Sequence, residues 1–93
     1  MGLMIYDPTI RDTGMGFDGM CQVVLFNDNV NSFDHVIHCL MTVFGHSKAI
    51  AEKVAKEAHN QGKTVAEVED YQNAMLHKSM LASAGVASEV EKI

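Results

Sequence analysis

The chain has 93 residues, 47% of them hydrophobic and 20% charged, with a net charge of −5 when the histidines are neutral. That length supports one domain with a modest core and excludes two lobes. An acidic balance leaves nothing to neutralise a phosphate backbone, so nucleic acid is not an expected partner. No run approaches the roughly 18 apolar residues of a membrane span, and no basic-then-apolar signal peptide opens the chain. Met1-Gly2 resembles the start of a myristoylation site, but Tyr6 stands where Ser or Thr is required. Cys21 and Cys39 form neither a CxxC motif nor a disulfide framework, so reduced thiols and a cytoplasmic location are expected.

In chain order, residues 1–20 come first. Asp7-Pro8, Thr13-Gly14, Gly16 and Asp18-Gly19 interrupt any period, which predicts a flexible N-terminal extension ahead of a core over 21–93. Val23–Phe26 is a short apolar run suited to a buried strand. Asn27-Asp28-Asn29-Val30-Asn31 follows, a composition that favours a tight turn. A helix is predicted next, with Phe33, Val36, Ile37, Leu40, Met41 and Phe44 along one face. Asn31 is its expected N-cap, with Asp34 three residues on reaching back and adding negative charge at the positive end of the helix dipole. Near Gly45 this helix ends.

Ser47 can cap a second helix running to about Asn60, with Ile50, Ala51, Val54, Ala55 and Ala58 on one face and Gly62 beyond its end. That face is mostly small, so close packing is expected. Lys63–Val68 is β-prone, and Asp70 can cap a third helix over Tyr71–Ala84, with Ala74, Met75, Leu76, Met80 and Leu81 apolar. Gly85 breaks it, and Val86–Ile93 alternates like a one-sided strand. The order βααβαβ predicts an α/β two-layer sandwich, one small sheet covered by helices.

Enzyme motifs are missing. Gly14 and Gly16 do not continue into a phosphate loop, and the five histidines form no HExxH. His35 and His38 could share a helix edge with Asp34, but that spacing is a weak metal signal against the reading of a solvated polar face. His46 and His77 are expected at the surface. His59, just before Asn60-Gln61-Gly62, suits a histidine interacting with a helix C-terminus on spacing alone. No cofactor is expected, and no catalytic residue.

Asn27-Asp28 after an apolar strand, the helix opening at Asn31, Phe44, and His59-Asn60-Gln61-Gly62-Lys63 fifteen residues after Phe44 together resemble the ClpS adaptor family. The closing Glu91-Lys92 fits too, although a shortening of about seven residues separates the third helix from it. The resemblance covers roughly residues 22–93 and is strongest over 23–63. It implies an α+β two-layer sandwich with a three-stranded antiparallel sheet under three helices. It also implies a non-enzymatic adaptor that binds the first residue of N-degron substrates, typically Leu, Phe, Tyr or Trp. Such adaptors deliver those substrates to a ClpA- or ClpC-type AAA+ unfoldase through a flexible extension. A cytoplasmic monomer without cofactor is the corresponding expectation.

By that resemblance, Asn27, Asp28 and His59 bind the α-amino group, and Asn31, Phe33, Val36, Ala55, Ala58 and Val90 line the side-chain pocket. Simple core packing is the competing expectation for Val36, Ala55, Ala58 and Val90. The chain departs from the family pattern at several points. Asn29 stands where an acid is common, Asn31-Ser32 replaces a usual Thr-Pro pair, and Phe33 and Ala55 replace two methionines. The larger gate and smaller facing wall suggest a compensating exchange. Two alternatives stay open: an interaction module of the same shape without an amino-acid pocket, like the C-terminal domain of the ribosomal stalk protein, and a small metal or redox protein using Cys21, Cys39 and the histidines.

Overall fold

The structure, a computed structural model, describes residues 19–93. The expected extension over 1–20 therefore lies almost wholly outside the described residues. Strand β1 spans Met20–Phe26, helices α1 and α2 span Phe33–Phe44 and Lys48–Gln61, strand β2 spans Lys63–Asp70, helix α3 spans Tyr71–Ser83, and strand β3 spans Ser88–Lys92. The sheet is antiparallel throughout, in the order β2-β1-β3. This is the expected α+β sandwich in the expected element order.

The most apolar strand takes the middle of the sheet because only there are both its edges paired. Cys21, Val23 and Leu25 are fully buried on the helix side, against Ile37, Leu40, Ala51, Val54 and Leu81. Strand β1 starts three residues before the expected Val23. Gln22 hides this start by interrupting the apolar run, but it faces away from the core cluster and donates to Glu91 Oε1 at 3.0 Å across β3. Strand β2 runs two residues past the expected Val68.

Helix α1 is capped by Ser32 rather than the expected Asn31, its hydroxyl accepting the His35 N–H at 3.1 Å. Asn31 uses its side chain elsewhere, as described below. The helix ends at Gly45, whose φ of 71° lies in the left-handed region that glycine adopts without a Cβ penalty. Ser47 caps α2 by accepting from Ile50 N–H at 3.2 Å, and Asp70 caps α3 by accepting from Asn73 N–H at 2.9 Å. Both caps are as expected.

Two apolar faces differ from expectation. On α2 the buried stripe is Ala51, Val54, Ala55 and Ala58, and Ile50 lies beside it half exposed. On α3 only Ala74 and Leu81 are buried, two turns apart. Met75, Leu76 and Met80 are exposed, so this helix meets the rest along a narrow line. His46 and His77 are not simple surface residues. Both are half-buried around Phe44, one ring stacked at 5.4 Å and the other edge-on at 5.1 Å between centroids. His46 Nε2 donates to the Ala66 carbonyl at 2.9 Å, and His77 Nδ1 donates to Glu69 Oε2 at 2.6 Å. Ala66 lies where the β1–β2 register shifts, so an edge-strand carbonyl released by the bulge is satisfied by a side chain.

The placement of α3 predicts unequal costs for two leucines: buried Leu81→Ala should destabilise by about 2–5 kcal/mol and exposed Leu76→Ala by no more than about 0.5 kcal/mol. Urea denaturation measures both, and equal costs would contradict this orientation of the helix.

Candidate functional site

The turn after β1 is held from two sides. The Asn27 N–H donates to the Gly62 carbonyl at 2.8 Å, and the Gly62 N–H donates to the Ala58 carbonyl at 2.9 Å. The end of the central strand is thereby joined to the last turn of α2, which carries His59. Asp28 then organises its own turn. Its Oδ1 accepts the N–H groups of Val30 at 2.8 Å and Asn31 at 2.9 Å, the self-bonded turn that Asp forms readily. Its Oδ2 accepts from the Asn31 amide at 2.5 Å. The same Asn31 nitrogen donates to the Gly85 carbonyl at 2.8 Å, reaching the connection between α3 and β3.

These bonds favour the ionised carboxylate, so Asp28 is held below its ordinary value. The Asn31 side chain is the largest cause, followed by the Asn31 backbone N–H; partial burial opposes them, while the Val30 N–H and the charge of His35 assist.

A cavity of about 200 Å³, partly open to solvent, lies against this turn. Its apolar lining is Leu25, Phe26, Phe33, Val36, Ala55 and Ala58, and its polar lining is Asn27, Asp28, Asn31 and His59. A dry apolar cavity of about 150 Å³ is enough to hold benzene, so one branched or aromatic side chain fits the space available. Val36, Ala55 and Ala58 are buried but also border this space, so core packing and cavity lining coexist at those positions. Phe33 is 44% exposed and stands at the cavity as an aromatic edge.

Val90 is placed elsewhere. It pairs with Val23 across the sheet and packs, partly buried, against the core, and it is not among the residues lining the cavity. Strand β3 is on the far side of β1 from β2, so Val90, opposite the middle of β1, packs beside Val23 and not at the end of the strand. Leu25 and Phe26 do line the cavity and were not expected there. The available signal was their position as the last two strand residues before Asn27.

The metal alternative finds no support among the described residues, where no group of three His, Cys, Asp or Glu side chains could hold an ion. His35 Nε2 donates to the Ala84 carbonyl at 2.9 Å, and so is committed as a donor. Cys21 and Cys39 are free, buried thiols, each pushed up chiefly by burial, which disfavours the reactive thiolate.

The depressed Asp28 carboxyl has a consequence for stability. A carboxylate whose value is lower in the folded state stabilises fully above its unfolded value, and that contribution disappears as pH falls through the folded one. Wild-type stability should therefore decline below about pH 5, and Asp28→Asn should flatten part of that decline in urea titrations. An identical acid profile in the variant would contradict the bonding at Asp28.

Known proteins resemble this chain in sequence and in fold. The model of a family described as "ATP-dependent Clp protease adaptor protein ClpS" matches residues 18–89. A ClpS adapter of Prochlorococcus marinus is 35% identical over 72 residues, covering 76% of this chain and 69% of that protein. One from Acetivibrio thermocellus is 36% identical over 52 residues, covering 56% of this chain. The chain spans about half the length of that relative and of another from Desulforapulum autotrophicum, at 52% and 48%. Among solved structures, Agrobacterium tumefaciens ClpS2 bound to L-phenylalaninamide superposes with a TM-score of 0.75 at 23% identity, covering 83% of this chain and all of the other, which is a likeness of fold. With its family model spanning most of its length, this chain belongs to the ClpS family.

Proposed function

We propose that this protein is an adaptor that binds the N-terminal residue of N-degron substrates, of the Leu, Phe, Tyr and Trp class, and delivers them to a ClpA- or ClpC-type AAA+ unfoldase. One observation carries this: an amide, a carboxylate and an imidazole from two separate stretches border one apolar cavity. A free α-amino group is a cation with donors only, and it needs acceptors of this kind. Asn27 and Asp28 supply side-chain oxygens, and His59 supplies a ring nitrogen in its neutral form. Charge-assisted bonds of this sort contribute about 1.5–3 kcal/mol each, and burial of a Leu or Phe side chain about 1.5–3 kcal/mol. The costs of association offset part of that sum, and a micromolar-class Kd, about −8 kcal/mol, lies at its tight end.

Acetylation removes the positive charge and leaves the Asp28 carboxylate facing an amide without a cationic partner, so selectivity arises by penalty. The bound L-phenylalaninamide of the Agrobacterium tumefaciens ClpS2 structure has both elements, a free amine and an aromatic side chain, and supports the same ligand class here. An interaction module without a pocket would leave the cavity beside Asp28 without a use. The binding step breaks no covalent bond, so the protein acts as an adaptor rather than an enzyme, and it does so as a cytoplasmic monomer.

A Phe-first fluorescent peptide should bind at least about tenfold more tightly than its acetylated twin, the loss of one charge-assisted contact. Equal affinities would remove the basis of the proposal. Across a panel beginning with Leu, Phe, Tyr, Trp, Val and Ile, the aromatic and Leu peptides should lead, with a ranking set by Phe33 and Ala55; equal binding of Val and Leu would refute a tight gate. Removal of residues 1–18 should leave peptide affinity unchanged and abolish unfoldase-dependent degradation, whereas loss of peptide binding would contradict a delivery role for that segment.

A further inference from the structure

We infer that Asn31 is a positioning residue for the amine site, its side-chain amide bridging the Asp28 carboxylate and the Gly85 carbonyl so that one charged acceptor is held toward the cavity. This rests on the amine-binding function proposed above. Asn31 would otherwise count simply as part of the pocket wall, but its hydrogen bonds give it a different task.

The amide orientation follows from its partners. Nδ2 meets a carboxylate oxygen and a carbonyl oxygen, both of which can only accept, so the nitrogen and not the oxygen must point at them. Both amide hydrogens are then used. A carboxylate offers about four acceptor positions, and three at Asp28 are filled, two on Oδ1 by backbone N–H groups and one on Oδ2 by Asn31. The remaining position is on Oδ2, the oxygen that Asn31 anchors. An incoming ammonium thus meets an acceptor whose direction is fixed by a bond on the same atom.

The other end of the bridge is itself anchored. His35 Nε2 donates to the Ala84 carbonyl, so two successive carbonyls of the α3–β3 connection are each taken by a side chain, one from the first turn of α1 and one from the turn before its cap. Gly85 has a φ of 80°, a left-handed conformation that aims its carbonyl and that other residues adopt only under strain. A Cβ there would lie 4.0 Å from the Asn31 amide, an ordinary contact, so substitution acts through the backbone and not through collision. A Thr at position 31 has one hydroxyl hydrogen and could serve Asp28 or Gly85 but not both. The two-hydrogen amide is what lets a single side chain span the gap. The titratable side chains around Asp28 are His35 on α1 and, across the cavity, His59 on α2; the α3–β3 connection presents only backbone.

The test uses the full chain with Asn31→Ala, Asn31→Thr and Gly85→Ala, each checked for folding by circular dichroism. Two quantities are read: the ratio of affinities for a Phe-first peptide and its acetylated twin, and the titration midpoint of the Asp28 carboxyl carbon by NMR. Asn31→Ala should shrink the affinity ratio by about tenfold and move the Asp28 midpoint up toward the ordinary carboxylate value, with Asn31→Thr and Gly85→Ala between. If Asn31→Ala does not fold, the same two shifts in Asn31→Thr carry the test. A merely structural role would lower thermal stability while leaving the ratio and the midpoint unmoved, and that result overturns the inference. A wild type that binds both peptides equally overturns the amine-binding function and the positioning role together, whereas a discriminating wild type with unmoved variants overturns the positioning role alone.

Discussion

A single backbone hydrogen bond, from the Asn27 N–H to the Gly62 carbonyl, sets the geometry on which the site depends. It ties the end of the central strand to the end of α2, thirty-odd residues later in the chain, and brings the Asn27-Asp28 turn and His59 to the same cavity. Gly62 can serve because its φ of 91° turns the chain sharply out of the helix into β2, while its own N–H still closes the last helical turn on Ala58. The small residues of α2 complete the arrangement. Ala55 and Ala58 leave room where larger side chains would fill the cavity.

Much of this was legible in the sequence because local signals agreed with one another. The buried strand, the Asn- and Asp-rich turn, the Ser47 and Asp70 caps and the terminal glycines each have a mechanism that acts within a few residues. What the sequence hid depends on partners far along the chain. Asn31 looked like a helix cap because Asn is a good one, yet Gly85, 54 residues away, and Asp28 engage its amide, and Ser32 caps instead. His46 and His77 looked like surface residues because imidazoles usually are, yet Phe44 and the edge of β2 enclose them. The apolar spacing of α3 could not reveal that only Ala74 and Leu81 face inward.

The cavity residues show the same division. The family resemblance points to Asn27, Asp28, Asn31, Phe33, Val36, Ala55, Ala58 and His59, and these residues border the cavity in the structure. The same resemblance points to Val90, which packs beside Val23 against the core, since strand order in the sheet, which no local pattern encodes, decides what a β3 residue can reach. Leu25 and Phe26 were overlooked because a strand's last residues read as core, although a pocket at the end of a strand must use them.

The central claim is that an ammonium is received at this turn while its side chain enters the neighbouring cavity. A crystal structure of the protein with a Phe-first peptide tests it most directly. The account predicts the peptide nitrogen within hydrogen-bonding distance of the Asn27, Asp28 and His59 side chains, with the Phe ring between Phe33 and Ala55. A peptide bound elsewhere on the surface, or bound here with its amine turned to solvent, would contradict it.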